Sequence, residues 1–410
     1  MQFKEVIGQP NVKQQLTELV QHNRLSHALL FLGKEGSGAL SLAMAFAQYV
    51  VCEKVNGKAT ANATPLFADP PAYQTGRLPT SQSPLTIYSD SCGTCPACSK
   101  AQKMVHPDIH FSYPVIPKKS GDKPVSTDFI SEWREFIQMN PYGNVYDWLQ
   151  FIGAENKQGN ITAYECSDII HKLNLKSFES GYKILLMWMP EYLGKEGNKL
   201  LKLIEEPPPN TLFILVAENE SEILPTILSR CQLIKIPALE TEDIAKALLE
   251  RAKQPADQVH QVASISEGNY REALQLLQHA EEDWQDLLRD WLNAILKTGP
   301  SAQVKWIEEV AKLGREKQKQ FLRYFNHLLQ QSIRLRVIGS TEAALLPDKE
   351  RDFALRLNKL TDISQQQAII EELDKASYYI ERNAHAKMLF HALTLKLYHI
   401  IADKSLFLVN

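Results

Sequence analysis

An α/β domain built on a parallel sheet and followed by all-helical segments is the architecture this sequence predicts, and three observations predict it. Short apolar runs at residues 29–32, 183–189, 211–217 and 232–236 alternate with helical patterns, as strands buried on both faces of a parallel sheet do. The first run enters a glycine-rich loop and then an apolar helical stretch, the strand, turn and helix order of a phosphate-binding loop. From Leu239 onward the strand pattern stops and amphipathic helical periodicity takes over.

The chain has 410 residues, enough for two or three domains with separate cores. It is 44% hydrophobic and 23% charged, with no apolar run near the ~18 residues of a membrane span. Its N-terminus, MQFKEVIGQP, lacks the basic and then apolar profile of a signal peptide, so a cytoplasmic location is expected. A net charge of −3 leaves nucleic-acid contact to a local patch or to partners. Six cysteines in a cytosolic chain of this size do not read as a disulfide framework.

Residues 3–27 form a short lead-in and an amphipathic helix carrying Val12, Leu16, Leu19 and Val20. Residues 29–42, LLFLGKEGSGALSL, then set Gly33, Gly36 and Gly38 in the frame G-x-x-x-x-G-K-[ST], with Gly33 and Gly38 as its two glycines. The lysine and hydroxyl positions of that frame are Ala39 and Leu40. The side chains that would neutralise the β- and γ-phosphates and seat Mg²⁺ are therefore missing, and ATP is not expected to bind. Backbone N–H groups and a helix dipole still favour an anion there. Ser41 stands one position late and would serve only after a register shift. A chance glycine-rich turn is the competing reading of this stretch taken alone.

The helical run Ala39–Val51 leads to Cys52, and after a long interval come Cys92, Cys95 and Cys98 in two overlapping Cys-x-x-Cys steps. Three thiolates within one tight turn, with Cys52 as a fourth, suit a closed tetrahedral zinc site; free thiols in a loop are the alternative. The interval 56–91 is rich in Pro, Ser, Thr and Ala and reads as a surface insertion. Such an insertion between ligands costs little, because closure entropy grows slowly with length. Cys166 and Cys231 are expected to stay free.

Residues 108–115 are a strand candidate weakened by Pro114, 117–126 a charged loop, and 128–140 a helix. Thr162-x-x-Glu165 reads as a capping box opening a helix through Leu175. The run 183–189, KILLMWM, ends in Trp188 and Met189, where a phosphate-loop ATPase places the Asp that acts on Mg²⁺ and the Glu that activates water. A second half of a hydrolytic apparatus is thus absent, and both residues are assigned to the core. A helix over 197–206 stops at Pro207–Pro209, and ILPTILSRC at 223–231 separates the last two strands. Helices follow at 241–253, 257–266 and 269–279, with Gly268 as a turn, and at 284–297, 302–313, 317–337, 365–383 and 384–402. The domain reading is 1–238, 239–282 and 283–410.

Taken in order, these features resemble the clamp-loader branch of the AAA+ ATPases, most closely its bacterial delta-prime members. The resemblance rests on Val6-Ile7-Gly8-Gln9, Arg24-Leu25-Ser26-His27-Ala28, the glycine loop, the cysteine module, His106-Pro107-Asp108, Gly181-Tyr182-Lys183 and LLKLIEEPP at 200–208. Further along it rests on Ser229-Arg230-Cys231 after Pro225-Thr226-Ile227-Leu228, on GNYREAL at 268–274 and on ERNAHAKMLFHALTLKL at 381–397. It covers nearly the whole chain apart from insertions at about 56–91 and 118–160. It implies a five-stranded AAA+ core with a zinc module, a helical lid over 239–282 bearing a second sensor arginine at Arg271, and a helical collar over 283–410 that joins five subunits in a ring. It also implies a role in DNA replication as part of DNA polymerase III, with ATPase gamma/tau-like subunits, a delta-like subunit, a sliding clamp and primed DNA as partners, and no membrane. The family's hydrolysing subunits keep the lysine and the acidic pair; delta-prime members can lose both while retaining Ser-Arg-Cys, whose Arg230 would act as an arginine finger in a neighbour's site.

Two other functions compete. An ATP-hydrolysing gamma/tau-like subunit with an atypical site is opposed by Ala39, Leu40, Trp188 and Met189. A zinc-ribbon nucleic-acid-binding protein would need basic and aromatic residues around the cysteines, and Gly93, Thr94, Pro96 and Ala97, followed by Lys100 and Lys103, do not supply them.

Overall fold

The structure, a computed structural model, describes residues 1–56, 89–119, 121–154, 157, 159–252, 256–278, 284–338, 348–382 and 384–403. Most of the Pro/Ser/Thr-rich interval, residues 57–88, lies outside them. The chain divides into two compact units, Met1–Gln275 and Leu276–Asn410.

Five parallel strands form the first unit's sheet: β1 (Ala28–Gly33), β2 (Ile109–Ser112), β3 (Lys183–Trp188), β4 (Thr211–Ala217) and β5 (Gln232–Ile236), in the order β2-β3-β4-β1-β5. Because side chains alternate across a strand, Leu29, Phe31, Leu186, Trp188 and Ile214 enter one core while Leu30, Leu185, Met187, Phe213 and Leu215 enter the other. Both faces are covered along β1, β3 and β4, which is why those strands read as nearly continuous apolar runs. β2 ends at Ser112, ahead of Pro114, whose ring nitrogen has no hydrogen to give a ladder.

The helices of this unit are α1 (Pro10–Gln21), α2 (Ala39–Val51), α3 (Pro96–Gln102), α4 (Ile130–Met139), α5 (Val145–Phe151), α6 (Ala163–Asn174), α7 (Leu201–Glu205), α8 (Pro225–Leu228), α9 (Thr241–Ala252), α10 (Ala256–Ile265) and α11 (Tyr270–Gln278), the last crossing into the second unit. Every residue of α2 is buried, as expected for a helix that is apolar on all sides. Between β2 and β3 the insertion folds onto the sheet through an aromatic cluster. Trp133 stacks on Tyr113 at 4.1 Å and meets Trp148 edge-on at 5.3 Å, and the Trp148 Nε1–H donates to the Pro114 carbonyl at 2.7 Å.

Several local expectations are corrected. Thr162 caps α6 by accepting from the Glu165 amide at 3.1 Å, but Glu165 does not return to Thr162. Its carboxylate is buried and accepts from the Ser126 amide instead, so only half of the box exists. The helix expected at 128–140 opens with a 3₁₀ turn, Ser126–Phe129, before α4. The helix expected at 197–206 begins earlier as a 3₁₀ segment, Pro190–Leu200, broken at Gly194, and becomes α-helical only in α7. Cys98 sits in α3 and not in a turn. His106-Pro107-Asp108 turns out to be a structural corner: Asp108 accepts from the backbone amides of Phe178, Glu179 and Ser180.

The second unit is helical: α12 (Trp284–Asn293), a π-helical turn at Ala294–Thr298, α13 (Pro300–Val310), α14 (Arg315–Ile338), α15 (Asp348–Leu360), α16 (Ile363–Glu381) and α17 (Ala386–Ile401). Gly299, at φ 81°, permits the reversal into α13, and Pro300 occupies its first position. In its core Trp291 stacks on Trp306 at 4.6 Å and donates from Nε1 to Thr394 Oγ1 at 3.0 Å. No helix among the described residues is long and apolar enough to cross a membrane.

Candidate functional site

Ligands of open parallel sheets bind outside the carboxyl ends of the strands. Here that edge gathers the end of β1 with Gly33, Gly36 and Gly38, the end of β3 with Trp188 and Met189, and Ala217 and Glu218 after β4. The frame expected of a phosphate loop is therefore assembled. Gly36 and Gly38 have φ of 71° and 83°, which side chains rarely adopt. At both positions something also lies against the missing side chain: a Cβ on Gly36 would collide with Asn269, and one on Gly38 would lie 2.8 Å from the Tyr142 ring.

The cleft between them measures about 20 Å³, room for about one water and not for a triphosphate. Ala39 and Leu40 are buried at the start of α2 and offer no counter-charge. Ser41, also buried, donates to the Pro141 carbonyl at 2.7 Å, so its hydroxyl does not face the loop as a metal ligand would. Trp188 and Met189 are in the core, as expected, and Trp188 lies 5.3 Å from Trp133 and 6.3 Å from Phe136.

The occupant of the cleft comes from the insertion. Tyr142 lies over Gly38; its hydroxyl accepts from the Ile7 amide at 2.8 Å, its ring meets Tyr270 edge-on at 4.9 Å, and burial pushes its phenol up to about 12. Two residues on, Asn144 caps α5 and donates from Nδ2 to Glu35 at 3.0 Å. Asp147, which completes that cap, receives the buried guanidinium of Arg271 on both oxygens, at 2.5 and 2.6 Å. Arg271 also donates to Glu35 at 3.0 Å, and the Tyr270 amide at the start of α11 donates to the Gly36 carbonyl at 3.2 Å. The Arg271 guanidinium is thus already engaged by the carboxylates of Asp147 and Glu35, where it would otherwise meet a phosphate. Sequence reasoning found Arg271 but missed Tyr142, Asp147, Asn144 and Glu35. The capping pattern Asn144-x-x-Asp147 after Pro-Tyr-Gly would have given α5; no local signal points it at the glycine loop.

Arg230 follows α8 and directly precedes β5 by way of Cys231. Its side chain is 31% exposed and is held within the chain: Nε donates to Glu205 Oε1 at 2.8 Å, a second guanidinium nitrogen reaches the same oxygen, and another donates to the Thr226 carbonyl at 2.7 Å. Ser229 contributes its Oγ as an acceptor to Arg230 at 3.2 Å. Burial pushes the thiols of Cys231 and Cys166 up to about 11, which favours the protonated form of both, and neither is in a disulfide.

The sulfurs of Cys52, Cys92, Cys95 and Cys98 all lie within 4.8 Å of one another. Cys52 ends α2, Cys95 caps α3 and Cys98 lies in its first turn. Backbone amides point at the sulfurs: Cys92 N–H at Cys52 (3.4 Å), Cys95 N–H at Cys92 (3.3 Å) and Cys98 N–H at Cys95 (3.4 Å). Such donors stabilise thiolates. The Cys98 thiol, donating to Cys52, holds the Cys52 thiol well below the usual range and is itself pushed up. Cys92 and Cys98 sulfurs are 3.9 Å apart, close to the ~3.8 Å edge of a tetrahedron with ~2.3 Å metal–sulfur bonds. The four donors fit a metal of that geometry, all are free of disulfides, and three are buried.

The chain matches the family described as DNA polymerase III, delta subunit, over residues 8–65 and 82–240. It is 25% identical to the DNA polymerase III subunit tau of Bacillus subtilis over 353 residues, 84% of this chain and 48% of that protein. It is 23% identical to the subunit delta' of the same organism over 273 residues, 67% of this chain and 60% of that one. The chain thus spans about half to three-fifths of the length of these curated relatives. Among solved structures, a gamma-subunit-related protein of DNA polymerase III from Thermotoga maritima aligns over 93% of this chain at 15% identity, with a TM-score of 0.35.

Proposed function

The chain belongs to the DNA polymerase III delta-subunit family of clamp-loader proteins, and from that premise we propose that it is a delta-prime-like loader subunit that hydrolyses no ATP itself. In this reading it assembles in the cytoplasm with gamma/tau-like ATPase subunits and a delta-like subunit, and helps place a sliding clamp on primed DNA. Residues 1–238 serve as an AAA+ core, 239–282 as its lid and 283–410 as the collar that joins the ring. Arg230 serves as the finger in a neighbour's site, within the motif Ser229-Arg230-Cys231. Cys52, Cys92, Cys95 and Cys98 hold a structural zinc with no open position.

The observation that carries the proposal is the pairing of a spent pocket with a retained arginine. Ala39, Leu40, Trp188 and Met189 remove the phosphate counter-charge, the metal hydroxyl and the carboxylates that hydrolysis needs. A chain with that pocket gains nothing from Arg230 in cis, yet the arginine stands at the surface. The zinc assignment is supported by donor chemistry: four thiol ligands suit a structural zinc and leave no position for a substrate.

A second reading, a gamma/tau-like subunit, is favoured by the tau relative, which matches more of this chain than the delta' relative does. The four lost side chains oppose it. Mixing the purified chain with loader subunits of both kinds and weighing the product tests the proposal. A stable hetero-pentamer containing one copy of this chain is expected, with ATP turnover arising from the other subunits. Failure to enter any complex, or turnover by the chain alone that survives repeated purification, overturns it.

A further inference from the structure

We infer that residues 141–147 are the resident occupant of the vestigial nucleotide pocket, with the Asp147 carboxylate standing on Arg271 in the place of a phosphate. This rests on reading residues 33–40 as a former phosphate loop, and it goes further by naming what fills the pocket.

Three independent contacts carry it. The Tyr142 ring covers Gly38 and is fixed at its far end by the Ile7 amide. Asp147 takes the Arg271 guanidinium through two parallel bonds, the fork geometry that an arginine offers to phosphate or carboxylate alike. Glu35, in the loop itself, joins Asn144, Asn269 and Arg271. The insertion is anchored by the residue at the former acidic position, since Trp188 packs on Trp133 and Phe136 of α4. One substituted position thus docks the insertion, and the insertion closes the loop where the lysine is gone.

The consequence is conformational. A nucleotide ordinarily bridges a phosphate loop and the arginine that reaches it from another element; here Asp147 takes the arginine, while Asn144 of the same turn and Arg271 itself reach Glu35 in the loop. The start of α11 is tied to the loop by the Tyr270 amide on Gly36 and by Asn269 against the same glycine. The subunit therefore keeps one arrangement of loop and α11 whatever the nucleotide concentration.

The test uses the full chain and two variants. Asp147→Asn keeps the shape and removes the charge; exchange protection of the Tyr270, Glu272 and Ala273 amides should fall about ten- to hundredfold, the worth of a lost charged hydrogen bond, while that of Ile214 in β4 stays put. Asp147→Ala opens the position to an outside oxyanion. Millimolar inorganic pyrophosphate should restore its protection, yet leave wild type and the Asp147→Ala, Arg271→Ala double variant unchanged. Should Asp147→Ala fail to fold, the Asn variant decides by its protection alone. Unaltered protection in Asp147→Asn, or lost protection that pyrophosphate does not restore in a folded Asp147→Ala chain, overturns the surrogate and leaves the non-hydrolysing role standing. Pyrophosphate or ATP binding by the wild type at this pocket overturns the surrogate; only ATP turnover by the chain overturns the non-hydrolysing role as well.

Discussion

Arg230 and Glu205 form an ion pair with side chains 31% and 46% exposed, and pairs of that kind contribute roughly 0–1 kcal/mol. The guanidinium can leave Glu205 for a phosphate at small cost, which is what a finger acting across a subunit junction requires. Arg230→Ala should leave fold, metal content and assembly intact while lowering clamp- and DNA-stimulated ATP turnover and the loading rate of a reconstituted complex. A finger that dominates its site is worth roughly 10³–10⁵ in rate; the loss in total turnover should be smaller wherever other sites of the proposed assembly turn over independently of Arg230. Arg230→Lys should rescue poorly, since an ammonium keeps the charge and loses the planar fork. Unchanged ATPase and loading rates with Arg230→Ala would reduce the subunit to a scaffold. Ala39→Lys alone should not create an ATPase: Tyr142 covers the neighbouring Gly38, and Met189 still stands where a water-activating carboxylate is needed.

At the level of elements, the cysteine module joins the end of α2 to the start of α3 and receives the N-terminus. Gln2 donates to the Ser91 carbonyl at 2.6 Å, and Asp90 accepts from the amides of Phe3 and Lys4. Structural zinc in small modules contributes roughly 10–16 kcal/mol of apparent binding free energy at neutral pH. Untagged protein prepared without chelator should contain one zinc per chain, and Cys95→Ser should lose it and loosen residues 89–103 to proteolysis. Metal analysis finding far less than one equivalent would remove the zinc assignment. In the helical unit, burial holds His327 of α14 neutral, with its pKa lowered to about 4, and the Arg334 charge adds to the effect. The unfolded chain binds this proton near pH 6.5 and the folded chain only near 4. Stability from this group is therefore full above pH 6.5 and is lost as pH falls through 4, by an amount on the order of 1–3 kcal/mol. Thermal melts of the full chain between pH 7 and 4.5 should show that loss, and His327→Gln should lessen it; an identical pH profile in the variant would exclude His327 as its source.

For the molecule as a whole, the missing lysine, hydroxyl and carboxylates and the filled cleft all act against the same ligand. The isolated chain should neither bind ATP–Mg²⁺ tightly nor turn it over, and micromolar affinity by calorimetry would contradict this. Much of the fold could be read from the chain, because its signals are local. Three of the five strands, β1, β3 and β4, are essentially continuous apolar runs, α2 matches its expected bounds Ala39–Val51, and the glycine spacing and the Cys-x-x-Cys steps are patterns within a few residues. The four sulfurs do gather as those steps and Cys52 require. The sequence by itself also determined what the pocket lacks, since Ala39, Leu40, Trp188 and Met189 are identities at positions fixed by a frame. What fills the pocket was decided only by tertiary structure. Tyr142 and Asp147 are separated from Gly38 and Arg271 by more than a hundred residues, and Glu165 abandons its own helix cap for the Ser126 amide. Propensity and spacing act over one or two turns, whereas the pairings of Tyr142 and Asp147 depend on the docking of α4 on Trp188 and of α5 on α4, a packing choice that no short window of sequence encodes.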